Sequence, residues 1–219
     1  MKKNLLIGCL LALCSVPLSG QIVRPFRVVH NVDKSAVHVP PPEVPASLKT
    51  IYSNLGKGTD VYNAIEGWLL AGPNSVYGVN SQEFIALPFT PKSNAHVSEL
   101  RAGLQYDTGP NQVDLSLYSD TNGAPGALLA GPVTVTNLPA YGTCCTVAIA
   151  DFTPVPVTAG TKYWVVADTP LSGTGSDSSA AWEWVGKASV QWAQDFNDFG
   201  WNLTPSDALP AGQVLGTIP

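Results

Sequence analysis

Gln112-Val113-Asp114-Leu115-Ser116-Leu117-Tyr118 alternates strictly between apolar and polar residues. Val113, Leu115 and Leu117 fall on one side and Asp114 and Ser116 on the other, the period of two that makes a half-buried strand. The stretch runs into Ser119-Asp120-Thr121-Asn122-Gly123-Ala124-Pro125-Gly126, residue types that suit a tight connection. Working outward, the same kind of pattern predicts strands near 83–89, 97–106, 133–136, 145–151, 163–168, 181–185 and 212–218, divided by Gly, Pro, Asn and Ser clusters. Residues 113, 115, 117, 147, 149, 165 and 167 are expected to be buried together, with Asp114, Ser116 and Thr146 facing outward. With 20 Gly and 19 Pro and no long run of helical period, helix is a minor component. Only 59–71 offers a short helix any competition, and Gly67 and Gly72-Pro73 limit it. The predicted fold is all-β, an antiparallel jelly-roll-like sandwich over residues 49–219.

Residues 21–48 have a different composition. Pro25, Pro40-Pro41-Pro42 and Pro45 fix φ and remove backbone donors, so this stretch is expected to be a disordered, extended arm or linker. Two histidines, His30 and His38, lie in it without a Cys or carboxylate cluster beside them, which makes a poor metal site. Before it, Met1-Lys2-Lys3-Asn4, an apolar run from Leu5 to Val16 and the small-residue exit Pro17-Leu18-Ser19-Gly20 have the charge, length and exit of a secretory signal peptide, 1–20. The chain is therefore expected to be exported, extracellular or periplasmic, with no membrane span. Its formal net charge of −5 becomes more negative once Lys2 and Lys3 are removed, which argues against nucleic acid and anionic lipid as partners.

A resemblance emerges from motif order. Ile51-Tyr52-Ser53-Asn54-Leu55-Gly56, then Phe89-Thr90-Pro91, then Val113 to Asp120 with Pro125-Gly126 following, then Val157-Thr158-Ala159-Gly160-Thr161-Lys162-Tyr163-Trp164-Val165-Val166 resemble the choice-of-anchor R domain. The resemblance covers about 51–219 and implies a secreted bacterial β-sandwich, often with a sorting tail of the PEP-CTERM type. No such tail is recognisable here. The matching motifs are strand and turn signatures, so the resemblance carries no active site across.

Cys9 and Cys14 leave with the leader, and Cys144-Cys145 remain. Neighbouring Cα atoms lie ~3.8 Å apart, closer than a disulfide usually spans, so a bond between them is strained and reducible. Two readings stay open: a vicinal disulfide that stiffens the turn after Tyr141-Gly142-Thr143, or two thiols, one pointing inward as a small hydrophobe and one outward. No Lys, Arg or His occurs between Arg101 and Lys162 to lower a thiol pKa, which disfavours redox catalysis.

Asp120-Thr121-Asn122-Gly123 looks like the start of a calcium loop but lacks the later bidentate Glu, and turn chemistry accounts for it. No metal or cofactor ligand set is assigned. His96 is the single histidine of the domain, and neither a Gly-x-Ser-x-Gly elbow nor a His-Glu-x-x-His helix occurs, so no catalytic residue is assigned. Glu83, Glu99 and Glu183 are the candidate carboxylates for glycoside hydrolysis, a distant third reading.

The aromatic segment 182–201 carries the functional expectation. Trp182, Trp184, Trp192 and Trp201 offer indole faces on which sugar rings stack, and Gln191, Asp195 and Asn197 offer partners for hydroxyls. The competing reading is that these rings are sandwich core. A non-catalytic module that binds an extracellular glycan or cell-surface polymer is the leading expectation, and a structural matrix or surface-layer component its rival.

Overall fold

The computed structural model describes residues 28–30, 39–77, 81–170, 173–196 and 200–219. The leader expected at 1–20, His38 and Asn197 lie outside them. Among the described residues thirteen strands follow one another: β1 (Val28–His30), β2 (Lys49–Ser53), β3 (Asn63–Ala71), β4 (Glu83–Phe89), β5 (Ala95–Ala102), β6 (Leu104–Thr108), β7 (Gln112–Thr121), β8 (Ala124–Thr136), β9 (Ala148–Val157), β10 (Tyr163–Asp168), β11 (Ser179–Phe196), β12 (Asn202–Pro210) and β13 (Gly212–Thr217). One 3-10 turn, Gly173–Asp177, precedes β11. The segment where a helix competed is strand β3.

Two antiparallel sheets pack as a sandwich. The larger runs β1-β3-β11-β4-β10-β7-β8, with β6 and β12 also paired to the long β11, and the smaller runs β2-β13-β5-β9. Between them lies the main core. Ile85, Leu87, Leu115, Leu117, Val165 and Trp182 come from the large sheet, and Val97, Leu100, Ala150, Val157 and Val214 from the small one. The β7–β8 hairpin turns at Asn122 and Gly123, both at positive φ, as a two-residue Asn-Gly connection requires. Asp120 caps it by accepting the Gly123 N–H at 3.0 Å.

The alternation read from β7 has the right face inward, since Val113, Leu115 and Leu117 are all in the core. Asp114 and Ser116 do lie on the opposite face, yet they are buried instead of solvated. The Thr134 hydroxyl donates to Asp114 at 2.5 Å, and the β8 backbone approaches so closely at Gly131 that an added Cβ would come within 3.0 Å of Ser116 Oγ.

In β9 the expected register is wrong by one residue. Ala148 and Ala150 face the main core opposite Ala102 and Leu100, while Val147 and Ile149 belong to a second apolar cluster with Val61, Tyr62, Cys144 and Cys145. Thr146 is half-buried at its edge. Because Val147-Ala148-Ile149-Ala150 is apolar at every position and both of its faces are covered, periodicity could not assign the register.

Part of the proline-rich stretch is seated on the sandwich. Val39 exchanges backbone hydrogen bonds with Cys144 and Cys145. Arg101 Nη1 donates to the Pro42 carbonyl at 2.6 Å and Nη2 to that of Glu43 at 3.2 Å. Prolines lack donors but keep carbonyls, and a buried guanidinium with donors to satisfy is the complement of such a chain. Val28–His30 pairs with Trp68–Glu66 at the edge of the large sheet. Arm residues thus contribute a strand and a strap. No helix among the described residues is long and apolar enough to cross a membrane.

Candidate functional site

β11 carries three of the predicted tryptophans, Trp182, Trp184 and Trp192, all at even positions, and Trp201 stands just before β12. Along β11 the even positions 180, 182 and 192 turn into the sandwich, and Gln191 and Ala193 face outward. Trp182 and Trp192 are completely buried. Trp182 donates its indole N–H to the Ala211 carbonyl at 2.8 Å, and Trp192 packs 4.3 Å from the Trp68 ring. Trp184 is half-buried and meets Trp68 edge-on at 4.8 Å. These three are core rings, Trp182 and Trp192 fully buried and Trp184 packed on the same cluster.

Trp201 is placed differently. Together with Tyr118 it packs on an outer-face cluster of Ala86, Trp164, Val166 and Ala193. Its ring is half-buried and stands edge-on to Phe84 at 6.3 Å. Asp195 accepts the Gly200 N–H at 3.2 Å, which fixes the backbone just before Trp201. Asp195 is itself buried, so it positions Trp201 instead of meeting solvent. Gln191 is exposed on the same face of β11. Of the predicted ligand-binding set, then, the fold leaves Gln191 exposed and Trp201 half-buried on the outer side, buries Asp195, and turns Trp182, Trp184 and Trp192 into the core.

Three contributors escaped the sequence reading. Phe84, Tyr118 and Leu203 sit on the outer sides of β4, β7 and β12, and Leu203 is exposed. Beneath them Trp164 is fully buried, its indole N–H given to Asp120 at 2.9 Å and its ring face 5.6 Å from Lys162 Nζ. The signal was present in Glu83–Phe89, where Phe84 alternates against Ile85, but an alternation between two apolar residues does not say which one faces water.

The candidate carboxylates are poorly placed for hydrolysis. Glu83 and Glu183 are completely buried. Glu99 is held by Arg101 at 2.5 Å with both side chains almost out of solvent. Burial together with the nearby Glu66 carboxylate pushes the Glu183 carboxyl well above its ordinary pKa. Neither of its oxygens finds a hydrogen-bond donor among the described residues. Tyr62, buried beside Glu183, has its hydroxyl pKa raised chiefly by burial. His96 is exposed on β5, on the other sheet. A recess of about 390 Å³ lined by residues 134–139 and 146–149 holds no ionisable side chain.

The Cys144 and Cys145 side chains form a close pair, both buried, across a cis peptide. No protein-family model matches the chain, and no curated protein matches it.

Proposed function

We propose that this protein is an exported, non-catalytic β-sandwich module that recognises extracellular carbohydrate or cell-envelope polymer through the outer face of its large sheet. The observation that carries the reading is Trp201. It is a half-buried indole on an outward sheet face, edge-on to Phe84 and held by the Asp195–Gly200 hydrogen bond, with Tyr118 packed on the same outer-face cluster. Indole and phenol faces pack against the C–H faces of pyranose rings, and exposed Gln191 supplies both a donor and an acceptor for hydroxyls. A non-catalytic role is supported by the inaccessibility of Glu83 and Glu183 and the commitment of Glu99 to Arg101. Export is supported by the basic, apolar and small-residue order of 1–20. In an oxidising exterior the Cys144–Cys145 pair is a vicinal disulfide.

A glycan array probed with the exported protein and with Trp201→Ala tests the reading. Binding of a defined glycan class by the wild type and its loss in the variant support it. No binding by folded wild type, or equal binding by the variant, contradicts it and leaves the structural-component reading in its place.

A further inference from the structure

Beside the second apolar cluster, three potential ligands converge from two separate segments. The sulfurs of Cys144 and Cys145 and a carboxylate oxygen of Asp60 all lie within 4.8 Å of one another. Both cysteines are buried and Asp60 is exposed at the surface above them. The surroundings suit thiols as well as a disulfide. Cys144 Sγ lies 3.7 Å from the Thr59 carbonyl and 3.8 Å from that of Tyr62, and Cys145 Sγ lies 3.7 Å from the latter. A sulfur can donate to those carbonyls only when it carries a proton.

From this geometry we infer that Cys144, Cys145 and Asp60 form a redox-gated site for a thiophilic divalent cation of the zinc class. Two thiolates and a carboxylate are a donor set such an ion accepts. Metal–sulfur bonds of about 2.3 Å and metal–oxygen bonds of about 2.0–2.2 Å set tetrahedral ligands roughly 3.5–3.8 Å apart, so after reduction the two sulfurs move apart and the exposed Asp60 side chain rotates toward them. Burial among apolar neighbours disfavours two free thiolates, so the cation's charge is what makes their deprotonation favourable.

The chemistry closes in two steps. An external dithiol reduces the Cys144–Cys145 bond by two-electron exchange, itself becoming a cyclic disulfide and leaving two protein thiols. The divalent ion then displaces both thiol protons to solvent as the two metal–sulfur bonds form, so affinity rises with pH. Exchange with an external disulfide reverses the sequence: the two thiolate sulfurs bond to each other, the external disulfide is reduced to thiols that take up two protons from solvent, and the ion is released. This site is independent of the sugar-binding reading, since it lies on other elements and uses none of its residues.

Titration with Cd2+, followed by the ultraviolet thiolate-to-metal charge-transfer band, tests the inference on protein reduced with a phosphine, which does not compete for the ion. Reduced wild type is expected to saturate at one ion per chain, with a large excess of Zn2+ competing for the same site, and oxidised wild type to show no band. Asp60→Asn, an exposed change that leaves the fold in place, is expected to retain the band with affinity lower by at least about tenfold, the lower end of what even outer-shell partners contribute. Absence of the band in reduced, folded wild type, an equal response from oxidised protein, or unchanged affinity in Asp60→Asn would each overturn it.

Discussion

Arg101 and Glu99, two residues apart on β5, form an ion pair at 2.5 Å on the covered outer face of the small sheet, and Arg101 also holds the backbone of Pro42 and Glu43. One side chain thus neutralises a buried carboxylate and straps the proline-rich segment down. Removing it leaves Glu99 buried without a counter-charge. Arg101→Ala is expected to lower unfolding free energy by about 3–5 kcal/mol in denaturant titration. Limited proteolysis of the same variant should cut within 39–48 faster than in wild type. A loss under about 1 kcal/mol with unchanged cleavage would show that the pair and the strap carry little.

Glu183 makes stability depend on pH in the direction opposite to the usual carboxylate. Its folded pKa is raised, so the folded state binds more protons than the unfolded chain above the ordinary carboxyl pKa of about 4.3. The contribution is therefore fully present in acid and is lost as pH rises toward the folded value. Glu183→Gln mimics the protonated form and is expected to raise Tm relative to wild type at neutral pH, with the difference vanishing near pH 4. Thermal melts of both proteins across this range check it; a pH-independent difference contradicts it.

Trp192 and Trp201 should separate packing from surface. Trp192→Ala removes a completely buried ring packed at a tilt against Trp68 and is expected to cost about 3–5 kcal/mol. Trp201→Ala truncates a half-buried ring on an outer face and should cost clearly less. Equal losses in urea unfolding would mean that Trp201 belongs to the core.

Expressed with its leader, the chain is expected to be exported with residues 1–20 removed and with Cys144 and Cys145 bonded. Intact mass should match the processed chain less two hydrogens, and thiol labelling of unfolded, unreduced protein should find no free cysteine. Two labelled thiols would count against the bond, and a product retaining Met1 against export.

The sandwich was legible because β4, β7 and β10 carry clean patterns between turn signals, and the predicted 83–89 and 163–168 match the observed strands residue for residue. Where both faces are covered, the code fails. Val147-Ala148-Ile149-Ala150 gives no polar mark of which side is inward, and Asp114 and Ser116 are polar yet buried because neighbouring strands satisfy them. Length was misjudged for the same reason. β11 runs from Ser179 to Phe196 and pairs with β3, β6, β12 and β4 in turn, a set of long-range contacts invisible in local composition. Proximity in sequence put four tryptophans together, yet the three on β11 share one parity and turn into the core, and Trp201, beyond that strand, packs on the outer face. Phe84 and Tyr118 join Trp201 only through the sheet order.

Calorimetric titration of the array-selected glycan into wild type, Trp201→Ala and Gln213→Ala, the last an alteration on the small sheet, tests the central claim most directly. The account predicts binding by wild type and Gln213→Ala with matching affinity and no measurable heat with folded Trp201→Ala. Retained affinity in Trp201→Ala would contradict it.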